Sequence, residues 1–183
     1  FSKWAKFRRT LDLLSHPGWL VDVPVKGKPL TFGNLAKAVP GGRTPEDFKA
    51  WVDSQFDPSV TWEDIAWVRE HWKGKIVVKG VLDPEDGRRA RDAGVDGLIV
   101  SNHGGRQLDS VPSTAVALPG IAEAVGDEID VLSDGGVRTG LDVVKMMSLG
   151  PKAVLIGRAW AWAVAAGGDE GVSEMLGFLK GDI

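Results

Sequence analysis

A chain of 183 residues, 43% of them apolar and with a formal charge of −3, has material for one sizeable core but not for a complete eight-unit α/β barrel with its usual insertions. It has no cysteine, which excludes disulfides, thiolate metal sites and cysteine nucleophiles together and fits a reducing cytoplasm. The acidic balance argues against nucleic acid as a partner. Basic residues nevertheless gather early, with Lys3, Lys6, Arg8, Arg9, Lys26 and Lys28 against only Asp12 and Asp22 over residues 1–28.

The opening segment Phe1-Ser2-Lys3-Trp4-Ala5-Lys6-Phe7-Arg8-Arg9 interleaves aromatic and basic residues. That pattern suits either a solvated amphipathic helix or one lying on a membrane surface. No stretch is long enough to span a bilayer: the longest strongly apolar run, 159–166, is far below the roughly 20 residues required. Up to about residue 73 the chain is punctuated by His16-Pro17-Gly18 and Pro40-Gly41-Gly42. Thr44-Pro45-Glu46-Asp47 predicts a helix start, with Thr44 as N-cap, Pro45 at the first helical position and acids in the first turn. Thr61-Trp62-Glu63-Asp64 repeats that logic for a helix running to about Trp72.

Beyond residue 73 the pattern becomes regular. Short β-branched runs at 76–79, 98–101, 129–133 and 153–156 alternate with helical stretches near 84–93, 113–125 and 140–149. Gly94, Gly126 and Gly150 are placed to close those helices in the left-handed conformation. A last helix opens near Ala159, and another covers about 170–179. Apolar strands separated by helices predict a parallel sheet covered on both faces. A doubly wound sheet and half of a (β/α)8 barrel both satisfy this, and periodicity does not choose between them.

In parallel α/β proteins function collects at the carboxyl ends of the strands. Here those ends read Lys79-Gly80, then Ser101-Asn102-His103-Gly104-Gly105-Arg106-Gln107, then Ser133-Asp134-Gly135-Gly136-Val137-Arg138, and finally Gly157-Arg158. Glycine-rich turns that open helices present free N–H groups and the positive end of a helix dipole, which suits a phosphate held with Arg138 and Arg158. Histidine near neutral pH is the natural general base and arginine the natural bidentate clamp for a carboxylate. His103 and Arg106 together therefore describe a substrate with an acidic group beside an ionisable hydroxyl. A structural histidine and a surface arginine are the plainer alternative. No metal site is apparent, and His16 and His71 read as structural or surface residues.

The heptapeptide 101–107 resembles the active-site signature of the FMN-dependent 2-hydroxy-acid dehydrogenase and oxidase family. Val78-Lys79-Gly80, Leu82-Asp83-Pro84-Glu85-Asp86, the 133–138 motif and Ile156-Gly157-Arg158 agree with it. Gly33-Asn34-Leu35 and Phe56-Asp57-Pro58 resemble the respiratory L-lactate dehydrogenase branch. The resemblance implies a (β/α)8 TIM barrel, with residues 1–73 an insertion leading into it and 74–183 its second half. It implies FMN, held by Lys79 at the flavin N1–C2 edge together with Ser101, Asp134 at the ribityl hydroxyls, Gly135, and Gly136, Arg138, Gly157 and Arg158 at the phosphate. It makes His103 the base that takes the hydroxyl proton as the Cα hydrogen leaves as hydride for flavin N5; a carbanion route would use the same base. Arg106 would bind the substrate carboxylate.

L-Lactate is the implied substrate, with a quinone or cytochrome rather than NAD taking the electrons. A homo-oligomer in the cytoplasm, peripheral on the inner face of the cell membrane, is the implied setting. Family members carry four further strands ahead of this segment, bringing tyrosines and the aspartate that orients the histidine. This chain, with no tyrosine, looks like a fragment lacking them. The alternatives are an O2-using oxidase or monooxygenase of the same family, and a half-barrel that binds FMN or another phosphorylated ligand without turnover.

Overall fold

The structure, a computed structural model, describes residues 2–27, 32–39, 41 and 44–183. Phe1 of the aromatic-basic segment, Lys28 of the basic set, and Pro40 and Gly42 of the second turn motif lie outside the described residues. The chain forms two compact units, Phe1–Ser59 and Val60–Ile183.

In the first unit, α1 spans Lys3–Leu14 and starts where the Ser2 hydroxyl accepts the Ala5 N–H at 3.2 Å. Trp4, Phe7, Leu11 and Leu14 fall three or four residues apart on one side of it, and all are exposed. The short α2, Pro17–Leu20, runs into a π-helical turn, Val21–Lys26. The third helix, α3, Pro45–Gln55, has the start its sequence predicts. The Thr44 hydroxyl accepts the Asp47 N–H at 3.2 Å, and the Asp47 carboxylate accepts the Thr44 N–H at 3.0 Å, closing a capping box. Phe48 on this helix is buried and meets the Phe32 ring edge-on at 5.6 Å.

The second unit begins with α4, Asp64–His71. Its first turn differs from the expected cap: the Thr61 hydroxyl donates to the Asp64 carboxylate instead of accepting from the backbone, and the N–H groups of Asp64, Ile65 and Ala66 bond three residues back. Trp62, Ile65 and Val68 pack on the main core, so this unit starts ahead of the division near residue 73 that composition suggests.

There follow β1 Val77–Val81, α5 Pro84–Asp92, β2 Gly97–Val100, α6 Thr114–Val125, β3 Asp130–Asp134, α7 Gly140–Met147 and β4 Ala153–Leu155. The final α8, Arg158–Gly181, breaks at Gly167 and Gly168, whose backbone leaves the helical region, giving the two helical stretches expected. Gly94 and Gly150 adopt the left-handed conformation that ends a helix (φ +80° and +106°). Gly126 does not. It stays right-handed (φ −64°), because the chain turns on and both Glu128 and Ile129 donate to the Val125 carbonyl.

All strand pairs are parallel and the order is β1-β2-β3-β4. A doubly wound sheet reverses direction at a switch point, whereas this one advances one way, as the arc of a barrel does. Right-handed crossovers that advance one way put every helix on the same side. The expectation of a sheet covered on both faces therefore gives way to one helix-covered face, as the half-barrel alternative requires. Leu98, Val100 and Val131 on that face are fully or almost fully buried against Ala90, Leu118, Ile121 and Val125 of α5 and α6. On the other face Lys79, Ile99 and Leu132 stand in register, the first exposed and the others half-buried.

At the amino ends of the strands, Asp96 fastens α4 to the sheet. Its carboxylate accepts from Arg69 Nη2 at 2.7 Å, Lys75 Nζ at 2.8 Å and the Ile76 N–H at 2.9 Å. The hydrogen bond from Lys75 is the main cause holding this carboxyl well below the usual carboxylate range, followed by those from Ile76 and Arg69. A carboxyl lowered on folding stabilises the fold above its unfolded pKa of ~3.9, and that contribution is lost as pH falls through the folded value. Asp96→Asn is thus expected to lower the melting temperature at neutral pH and to flatten its decline in acid; thermal melts across that range check both.

Candidate active site

The opposite, carboxyl ends of the strands bring together groups far apart in sequence. The ammonium of Lys79 donates to Ser101 Oγ at 2.6 Å and to Asp134 Oδ2 at 2.5 Å, joining the ends of β1, β2 and β3. Ser101 is fully buried. The second carboxylate oxygen, Asp134 Oδ1, is buried and has no hydrogen-bond partner among the described residues. A buried acceptor left open costs about 1–3 kcal/mol unless a ligand donor meets it.

The loop after β2 carries the histidine. His103 opens a 3-10 turn, His103–Gly105, and is the non-glycine residue with positive φ (+55°) among those described. Such a backbone costs about 1–3 kcal/mol and persists only where neighbours over-determine it. Two contacts do so: the His103 N–H donates to Ser101 Oγ at 3.1 Å, and the Asn102 side chain accepts the Gly104 N–H at 3.0 Å. Gly104 and Gly105 continue in the left-handed region (φ +67° and +70°), which only glycine adopts freely. His103 and Arg106 are both exposed, and the Arg106 guanidinium has no ion pair or hydrogen bond among the described residues.

Beyond β3, Gly135 and Gly136 have φ of +98° and +77°. A Cβ on Gly135 would come within 2.9 Å of Thr114 Oγ1, so this loop passes tightly against the start of α6. A Cβ on Gly136 would meet nothing within 4 Å, which leaves its backbone open to a ligand. At the start of α8 no side chain caps the helix, and Gly157 is equally open. That combination suits an anion. The two arginines assigned to one phosphate stand differently. Arg158 Nη2 donates to the Gly104 carbonyl at 3.2 Å, tying α8 to the histidine turn. Arg138 lines a recess of about 400 Å³ with Thr139, Glu174 and Asp182, beside the second stretch of α8.

Sequence reasoning assigned no role to Asn102, Thr114 or Gly80. Asn102 was findable, since an asparagine two residues before a glycine in a loop is the signature of a side-chain-capped turn. Thr114 and Gly80 act through contacts that no local signal announces. Among the described residues no group of three or more metal-ligating side chains occurs, and no helix is long and apolar enough to cross a membrane.

A family model described as FMN-dependent dehydrogenase matches residues 1–183. The L-lactate dehydrogenase of a Caulobacter species is 54% identical over 176 residues, 96% of this chain and 46% of that protein. That of Yersinia pestis is 49% identical with the same shares covered. Among solved structures, the monotopic membrane protein (S)-mandelate dehydrogenase superposes with a TM-score of 0.86 at 40% identity, over 94% of this chain and 45% of that one. A mandelate oxidase variant bearing a monooxide FMN adduct gives a TM-score of 0.66 at 48% identity, over 70% and 40%. The chain spans about half the length of the curated relatives it matches.

Proposed function

Since the chain belongs to the FMN-dependent dehydrogenase family, we propose that it carries the catalytic and phosphate-binding half of a (β/α)8 flavoenzyme that oxidises an L-2-hydroxy acid, L-lactate foremost, to the 2-oxo acid. The observation that carries this reading is the cluster at the strand ends, where Lys79 donates to both Ser101 and Asp134 and the Ser101 hydroxyl accepts the His103 N–H, in the turn that also carries the uncommitted Arg106.

FMN fits the residues present. The open oxygen of Asp134 is an acceptor for a ribityl hydroxyl, and the unobstructed Gly136 and Gly157 with the uncapped start of α8 suit a phosphate. Lys79, Ser101, Asp134, Gly135, Gly136, Arg138, Gly157 and Arg158 would hold it. When bound, FMN supplies the two-electron acceptor for the oxidation. Lys79 contributes a fixed cation where negative charge would otherwise accumulate, an electrostatic preorganisation. Arg106 clamps the substrate carboxylate in bidentate fashion, and His103 takes the hydroxyl proton. Reoxidation falls to a quinone or cytochrome rather than to NAD.

Anaerobic addition of L-lactate to the flavin-loaded full-length enzyme tests the reading. Bleaching of the flavin supports it, and flavin that binds but is reduced by no 2-hydroxy acid removes it. That second result would favour a half-barrel holding a phosphorylated ligand without turnover, a reading supported by the intact 134–158 segment. Oxygen uptake with substrate would favour an oxidase or monooxygenase.

The exposed stripe Trp4, Phe7, Leu11 and Leu14 on α1, flanked by Lys3, Lys6, Arg8 and Arg9, supports peripheral binding to an anionic membrane face on the cytoplasmic side. The enzyme is expected to float with phosphatidylglycerol vesicles at low salt. Phe7→Glu with Leu11→Glu is expected to abolish flotation.

A further inference from the structure

We infer that Gly80 is a positioning residue for His103: the bulge it forms in β1 makes a bare backbone platform that aims the imidazole. This deepens the assignment of His103 as base and rests on it. The backbone of His103 is pinned by the Ser101 hydroxyl and the Asn102 turn, but those contacts leave the ring torsions open. Among the described residues neither ring nitrogen has a hydrogen-bond partner, so packing sets the aim of the ring within this chain.

Gly80 lies close to the ring. The pairing of β1 with β2 shifts register between Lys79 and Val81, and Gly80, the residue at the shift, has φ +105°. A Cβ built there would lie 2.8 Å from Cε1 of His103, 3.6 Å from Nε2 and 3.8 Å from Nδ1. Carbon atoms rest about 3.5–4.0 Å apart, so any side chain at this position must push the ring away by roughly 1 Å. The ring can yield, because it is the far end of a side chain with two free torsions. The clash is therefore cheap in stability and expensive in geometry. A misplacement of about 1 Å at a reacting group lowers rates on the order of 10²-fold. Lys79 stands just before the bulge, in regular register with Ile99 on the open face, where it reaches Ser101 and Asp134.

The test compares Gly80→Ala, Gly94→Ala and His103→Gln in the full-length, flavin-loaded enzyme. Gly94 has a similar left-handed backbone (φ +80°) with nothing within 4 Å of a built Cβ, so its substitution reports backbone strain alone. Four quantities are read: melting temperature, flavin content, the rate of flavin reduction by L-lactate with its pH profile, and the imidazole NMR signals of His103. The signals need no turnover, and His103→Gln assigns them. Gly80→Ala is expected to shift the His103 signals, to lower kcat about 10–100-fold with KM unchanged, and to keep its flavin. Gly94→Ala should melt lower with the His103 signals and kcat of the parent.

Unshifted signals with parental kcat in Gly80→Ala overturn the inference. So does a loss of rate matched by loss of flavin, which is the mark of a merely structural role. If the alanine variant does not fold, Gly80→Asn makes the same Cβ contact in a residue that tolerates positive φ, and is read in the same way. Retained flavin reduction in His103→Gln would instead remove the assignment of the base, whatever Gly80→Ala does.

Discussion

His103→Gln is expected to leave flavin content unchanged and to slow flavin reduction by L-lactate about 10²–10⁴-fold, the usual contribution of a positioned general base. Glutamine has nearly the length of histidine and cannot accept a proton near neutral pH, so the change removes the chemistry and keeps most of the volume. Flavin retention follows from the geometry. The groups that suit the cofactor (Lys79, Ser101, Asp134 and the start of α8) reach one another or the backbone of the histidine turn, and none of them bonds the imidazole. Stopped-flow absorbance under nitrogen measures the rate, and the visible spectrum of the purified variant measures the flavin. Reduction at the parental rate would place the base elsewhere. Loss of flavin together with loss of rate would make His103 a structural residue of its turn, which is credible for a side chain on a strained backbone (φ +55°).

Arg106→Met comes second in expected size. A charge-assisted hydrogen bond to a carboxylate contributes about 1.5–3 kcal/mol, which corresponds to a fall in kcat/KM of roughly 10–150-fold for L-lactate. Most of it should appear as a raised KM, because the clamp holds ground state and transition state alike. No hydrogen bond or ion pair among the described residues changes, since the guanidinium makes none, and the backbone N–H of residue 106 still meets the His103 carbonyl. Melting temperature and flavin content should therefore match the parent. Steady-state kinetics over a wide lactate range decides the matter, and an unchanged KM would take Arg106 out of the substrate site.

The two predictions rest on residues the sequence displayed, because His103 and Arg106 lie in one short turn whose glycines and asparagine advertise its conformation. The cation site was only half legible. Lys79 and Asp134 were each conspicuous as polar residues ending apolar strands, yet their mutual bond spans 55 positions and depends on the register of three strands. The phosphate end was read as two converging arginines. In the structure Arg158 donates to the Gly104 carbonyl and Arg138 lines the recess beside α8, placements set by how α8 and the loop after β3 pack, which no local signal announces.

The sequence by itself determined the local elements: the capping box at Thr44, the glycine stops at Gly94 and Gly150, and the alternation of strands and helices. Capping, left-handed glycine and hydrophobic period act over a few residues and are written in the local order of the chain, although at Thr61 and Gly126 the surrounding turn overrode them. Only the tertiary structure decided that the sheet advances in one direction with helices on one face, that Lys79 meets Asp134, and that Gly80 faces the Cε1 edge of the imidazole. Those facts depend on crossover handedness, strand register and the bulge in β1. Each is a choice among packings whose local preferences are equal, and it is made by burying Leu98, Val100 and Val131 against α5 and α6.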